Sequence, residues 1–178
     1  MWGIVLIFFN INIGPFDILP NFLGYILVSS GLSGLSEVNI IYKKGIIPSS
    51  VLAITSFILI FFPINAEVQN ISPSNSWMLA TSSIFLILNL VIFYSICKGI
   101  YLESQKIIND DLMTTAKMRW NYMFYFACIS LFITPFTLTK NQVVVGINFL
   151  ISIILIFLAV LIILLLRRAR EEFDIDIQ

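Results

Sequence analysis

Asp17 is the residue with the most chemistry to offer. It is the only charged side chain in the 34 residues from 2 to 35, and it stands alone among charged residues in the interior of the chain's hydrophobic stretches. At mid-membrane an aspartate costs about 2.5–3.5 kcal/mol on insertion scales, so it would need a compensating role there. Asn10, Asn12, Asn21 and Tyr25 flank it and supply neutral donors and acceptors. Such a set could take a proton, a cation or a polar substrate. A structural reading competes with this one: Asp17 caps a helix beginning at Ile18, its carboxylate accepting backbone amides at the positive end of the helix dipole. Gly14, Pro15 and Pro20 already mark a helix start, and an outer-interface position would remove most of the burial cost.

Other chemistry has little to work with. The chain has no histidine, which removes the usual general base and the commonest metal ligand together. Two thiols without histidine do not make a zinc site. Cys97 and Cys128, far apart in apolar sequence, read as small packing residues. Serine and metal-dependent intramembrane proteases need histidine, and paired-aspartate proteases need a second membrane carboxylate. Neither a Walker-type phosphate loop nor a glycine-rich nucleotide fingerprint occurs. Asp110-Asp111 could bind a metal in principle, but an exposed helix cap explains the pair with less. No catalytic residue, metal or cofactor is expected, and a net charge of zero gives no field to attract nucleic acid.

The elements that must position these residues follow from composition. Of 178 residues, 59% are hydrophobic and 11% charged, against about 25% charged in an ordinary soluble domain. Twenty ionisable side chains, ten of each sign, cannot cover a soluble surface of this size. The expected solvent is therefore lipid, and the expected fold is all-α, a polytopic transmembrane helix bundle of about five spans forming one membrane domain. A span needs about 20 apolar residues and must be helical, because lipid offers no partner to a bare backbone amide. Four stretches qualify, at about Ile46–Ile64, Trp77–Cys97, Met118–Leu138 and Val143–Leu166. The last is apolar nearly all round, which suits a lipid-facing position. Trp77, Trp120 and Tyr122 open two of them as interfacial anchors.

Basic residues set the orientation. Lys43, Lys44, Lys98, Lys106, Lys117, Arg119, Arg167, Arg168 and Arg170 fall in connections that single spans place on one side, leaving Lys140 alone on the other. That positive-inside pattern predicts a multi-pass protein of the cell membrane with a cytoplasmic C-terminus. The amino end lacks a basic region and does not read as a cleaved signal. Residues 98–117 should form a cytoplasmic hairpin, with Glu103 and Lys106 paired at i,i+3 and Asn109-Asp110-Asp111 as a break and N-cap. Residues 167–178 form a cytoplasmic tail, whose short acidic part from Arg170 to Gln178 should fray.

The segment 2–35 is too long for one straight crossing and is broken in the middle. The expectation is a helix to about Ile13, a break over Gly14–Asp17, and a second helix from Ile18 to about Leu35. Thirteen helical residues cover only about 20 Å at the 1.5 Å rise. The first helix therefore either lies at the outer surface while the second crosses, or forms a re-entrant hairpin turning at Gly14-Pro15. Gly24, Ser30, Gly31 and Gly34 are candidate helix-packing residues. Ser30 and Gly34, like Ser29 and Ser33, have the small-xxx-small spacing that lets helices approach closely, inside the bundle or against another subunit. Asn89 and Asn148, in apolar spans, read as interhelical hydrogen-bonding residues.

The run Asn10-Ile11-Asn12-Ile13-Gly14-Pro15-Phe16-Asp17-Ile18-Leu19-Pro20-Asn21-Phe22-Leu23-Gly24-Tyr25-Ile26-Leu27 resembles the opening of uncharacterised small integral membrane proteins of Gram-positive bacteria. Those share an Asp-x-Leu-Pro-Asp/Asn-Phe-x-Gly-Tyr core followed by a glycine-bearing helix. The match covers under one fifth of the chain; it implies a bacterial cytoplasmic membrane and brings no activity with it. Two functions are expected to compete. One is a non-catalytic accessory or assembly subunit of a membrane complex, whose partners are the lipid bilayer and other membrane subunits or itself. The other is a small transporter, or a substrate-binding transport subunit, that uses Asp17 in a broken helix.

Overall fold

A computed structural model describes residues 2–8, 12–13, 16–17, 21–61, 74–139 and 141–175, with side chains described over 3–7, 21–59, 79–137 and 141–173. The architecture is all-α. Helix α1 (Trp2–Phe8) is followed by a short extended pair, then α2 (Asn21–Leu35), a 3-10 turn (Ile40–Tyr42), α3 (Lys43–Phe61), α4 (Ser74–Lys106), α5 (Asp110–Ile133), a second 3-10 segment (Thr134–Thr139) and α6 (Gln142–Ile175). Each helix from α1 to α6 packs on the next in sequence, and α6 also touches α1 and α4.

The broken opening is more broken than its sequence suggested. The described part of α1 ends at Phe8, and Ile13 is extended rather than helical, with Asn12 opposite Asp17 and Ile13 opposite Phe16 in an antiparallel pairing. Asparagine and β-branched isoleucine are poor helix formers, which suits the extended backbone at Asn12 and Ile13. The described part of α2 begins at Asn21. Gly14, Pro15 and the expected helix start at Ile18 lie outside the described residues.

Helices α1 and α2 run antiparallel in close contact. A Cβ on Gly3 would stand 2.7 Å from the Gly24 carbonyl and 2.8 Å from the Val28 amide, while one on Gly24 would meet Ile7 Cγ1 at 2.7 Å. Both positions need glycine for backbone to meet backbone. Helix α1 thus lies along the half of α2 nearer Asn21, and its Ile4 is buried in the common core.

Two helices are long and apolar enough to cross a membrane, over Leu79–Lys106 and Gln142–Phe173. At 1.5 Å per residue, α4 and α6 are each about 50 Å long, more than the ~30 Å hydrocarbon core. Their charges gather at one end. The third expected stretch, 118–138, is α-helical only to Ile133 and continues as a 3-10 segment. Pro135 cannot supply an amide to the α-helical ladder there. Contrary to the expected fraying from Arg170, α6 continues as a helix to Ile175. Its last turns are held by Arg167–Glu171 at 3.0 Å and Arg168–Glu172 at 2.7 Å, and docked on α5 by Arg168–Asp111 at 2.8 Å.

That charged end is the most tightly built part of the bundle. The Asn39 side chain caps the first 3-10 turn and donates to Glu103 at 2.8 Å, and Glu103 also pairs with Lys106 at 2.9 Å. Tyr42 is buried with its ring against Gly99, where any Cβ would overlap the ring. Gly45 similarly admits Leu32 and Ser95. Nearby, Leu52, Cys97, Ile100, Leu112, Ile162 and Leu165 form the inner core. Ser49, Ser95 and Ser104 are fully buried, each donating to a carbonyl one turn back, of Gly45, Ile92 and Ile100 respectively, at 2.7–2.8 Å. A serine that satisfies itself in this way fits a small gap without a partner from another helix.

Candidate functional site

Helix α2 turns Tyr25, Val28 and Leu32 into the bundle interior, and Asn21 falls on the same face by the i,i+3/i+4 spacing. Tyr25 and Asn89 of α4 bond reciprocally: Asn89 Nδ2 donates to the phenol oxygen at 3.1 Å, and the phenol to Asn89 Oδ1 at 3.3 Å. Asn89 Nδ2 also donates to the Phe85 carbonyl at 2.9 Å. One turn before Tyr25, Asn21 presents a buried Oδ1 without a hydrogen-bond partner among the described residues. On the adjoining face, the Ser29 and Ser50 hydroxyls link α2 to α3 at 3.0 Å.

Of the five candidate polar residues, the structure therefore brings Asn21 and Tyr25 onto one face beside Asn89. Asn12 and Asp17 are brought opposite one another through their backbones, and their side chains lie outside the described residues. Asn10 lies outside them altogether. Asn89 does bond between helices, whereas the Oδ1 of Asn148 is buried and unpartnered among the described residues.

The candidate packing residues divide. Gly24 makes the close approach inside the bundle, whereas Ser30, Gly31 and Gly34 are exposed, with open space around a Cβ at either glycine. Packing inside the bundle thus falls to Gly24 alone. The outward face borders a groove of about 690 Å³ between α2 and α3, walled by Phe22, Ile26, Ile54 and Phe57 and floored by Ser29 and Ser50. Phe22 and Phe57 meet edge to face at 5.3 Å across its end. Cys97 is buried as expected, but Cys128 faces outward on α5.

Three features escaped sequence reasoning. The α2–α3 groove needs two faces that only the packing sets side by side. Arg119 donates to the Leu161 carbonyl of α6; its position at the start of an apolar stretch was the available signal, but its acceptor is a backbone atom 42 residues away. Tyr42, in the first connection, is a core residue whose phenol is raised well above the ordinary tyrosine range by burial and then by the Glu103 carboxylate. No group of three or more metal-ligating side chains occurs among the described residues. No family model, curated protein or solved structure matches the chain.

Proposed function

We propose that this chain is a five-span protein of the bacterial cell membrane that acts by association rather than catalysis, as an accessory or assembly subunit. The spans are α2 to α6, with the α2–α3 connection, the α4–α5 turn and the C-terminus on the cytoplasmic side. The positive-inside pattern supports this orientation. It is also supported by the contacts Asn39–Glu103, Asn109–Glu172 and Arg168–Asp111, which join those three regions at one end. In this frame α1 is a short helix leaning on the outer half of α2. The proposal keeps the likeness of its opening to small membrane proteins of Gram-positive bacteria.

One observation carries the reading: the open face of α2. Ser30, Gly31 and Gly34 leave backbone bare beside a groove with aromatic walls and a serine floor. Close helix association in lipid depends on small residues of this kind, and among the described residues nothing packs against a Cβ at Gly31 or Gly34. The occupant is a transmembrane helix of a partner subunit or of a second copy. In mild detergent the intact protein should migrate as an assembly larger than one chain, and the double substitution Ser30→Leu/Gly34→Leu should release it. A wild-type chain that is already a lone monomer would overturn the reading.

Transport is the second reading. Its support is the buried, unpartnered Asn21 oxygen close in sequence to the extended Asn12–Asp17 pair, since broken helices supply polar backbone to transported solutes. Asp17→Asn separates the two. Loss of a proton-coupled or solute flux in proteoliposomes, with folding intact, supports transport. A stability loss of about 1 kcal/mol, as from a lost cap, with no flux in either protein, supports assembly.

A further inference from the structure

A second cavity, of about 310 Å³, opens between α4 and α5 at the charged end of the bundle. Tyr94, Lys98 and Tyr101 line it from α4, and Lys117, Trp120 and Asn121 from α5. The spacings are those of single helical faces, so both lysines face one cleft. Ala116, with no side chain beyond its Cβ, and the buried Cys97 complete the lining. The ring of Trp120 packs edge-on against Tyr94 at 5.1 Å, and Lys98 Nζ sits 4.4 Å from the centre of the Tyr101 ring.

The lining carries positive charge only. No carboxylate lines the cavity. Four acidic residues of this end are engaged elsewhere: Glu103 with Lys106 and Asn39, Asp111 with Arg168, Glu171 with Arg167, and Glu172 with Arg168. Positions three and four residues to either side of Lys98 and Lys117 hold no acid, so neither lysine has a helical ion-pair partner. Two ammonium groups therefore share a cleft with two phenols, an indole N–H and a carboxamide, all able to donate hydrogen bonds. A multiply oxygenated anion satisfies such a set, and a phosphate group does so best.

We propose that the cleft between α4 and α5 binds a phosphate group through Lys98 and Lys117, with Trp120 and Asn121 as neutral donors. The phosphate is that of an anionic phospholipid headgroup or a free phosphate; both present the same oxyanion. Lys98 and Lys117 each adjoin the end of an apolar stretch, so a headgroup would meet them at the level where aromatic side chains favour the interface. This inference uses the membrane reading only for the lipid source. Binding of inorganic phosphate needs no assumption about orientation or partner helices.

The test follows Trp120 fluorescence in a Trp2→Phe/Trp77→Phe background, with the full chain in neutral detergent and its helix content checked by circular dichroism. The protein is titrated with inorganic phosphate and, separately, with short-chain phosphatidylglycerol, phosphatidylcholine serving as control. A saturable change with phosphatidylglycerol alone assigns the site to a lipid; saturation with both assigns it to phosphate generally. Lys98→Gln and Lys117→Gln should each weaken binding about fivefold, and Lys117→Arg should restore most of it. Arg167→Gln, which removes a charge outside the cleft, should leave the curve unchanged. Absence of saturation with either anion overturns the proposal. So does an Arg167→Gln effect equal to that of Lys117→Gln, which would mean a diffuse surface field.

Discussion

Tyr25 and Asn89 show what a polar pair does for a helix bundle with little else polar inside. Each satisfies the other, and Asn89 also answers the Phe85 carbonyl, so neither amide nor phenol is left bare in an apolar interior. Interhelical hydrogen bonds in membranes average about 0.6 kcal/mol and reach about 1.7. Tyr25→Phe should accordingly cost about 1 kcal/mol in a detergent unfolding titration, because it also strands Asn89. Tyr42 supports a pH prediction. Its phenol is raised by burial and by Glu103, while in the unfolded chain it titrates near pH ~10. Below that pH both states hold the proton and the stabilisation is complete. Above it the unfolded chain binds fewer protons than the native one, so stability falls as pH rises. Thermal unfolding followed from about pH 8 to 11 should show this decline, and Tyr42→Phe should flatten it. Gly99→Ala drives a methyl into the Tyr42 ring and should cost about 1–3 kcal/mol as overpacking.

Among the described residues, the α4–α5 turn holds the one non-glycine residue with a positive φ. Ile108 adopts φ 56°, the left-handed region that glycine normally fills at the end of a helix. The surrounding bonds hold it there: the Asn109 amide donates to the Ser104 carbonyl at 3.0 Å. The Asn109 side chain in turn caps α5, accepting from the Leu112 amide at 3.0 Å. One asparagine therefore ends one helix and begins the next. The Ile108 side chain is 85% exposed and gains little from packing, so Ile108→Gly should stabilise the protein by about 1 kcal/mol, read from the unfolding midpoint. Asn109→Ala removes the cap and the contact with Glu172 and should cost about 1–2 kcal/mol. The element also explains the ordered tail. Once Asp111 and Asn109 are set at the start of α5, they receive Arg168 and Glu172 of α6. Amide exchange over 168–175 should then speed up in Asp111→Asn relative to wild type.

At the scale of the whole molecule, polarity is segregated along the bundle axis rather than between inside and outside. Large apolar side chains such as Ile54, Phe132, Phe149 and Phe157 are exposed along the helices, while ion pairs collect at the end formed by the α4–α5 turn and the end of α6. A protein dissolved in acyl chains has this distribution, because lipid tails solvate leucine as well as a protein core does. The proposed topology has a direct check. In a Cys128→Ser background in intact cells, Asn70→Cys should react with a membrane-impermeant thiol reagent. Gln105→Cys should react only after the membrane is opened. The reverse pattern would invert the bundle, and monodisperse behaviour of the polypeptide in detergent-free buffer would rule out a lipid-solvated fold.

Composition and local patterning alone decided the all-α class, the N-cap at Asn109 and the Glu103–Lys106 pair. Each depends on hydropathy or on side chains within one helical turn, which physical chemistry settles locally. The order in the tail and the outward aspect of Ser30, Gly31 and Gly34 were decided by packing. Whether a glycine admits a neighbour depends on which helix arrives beside it: Gly24 meets α1, and Gly31, two turns further on, meets nothing among the described residues. The cleft holding Lys98 and Lys117 has the same origin. Each lysine alone is an unremarkable cation at the end of a stretch, and only the antiparallel docking of α4 on α5 sets their two faces around one cavity. Sequence spacing determines the face a residue occupies, whereas contacts between faces are long-range and come into being only when the helices associate.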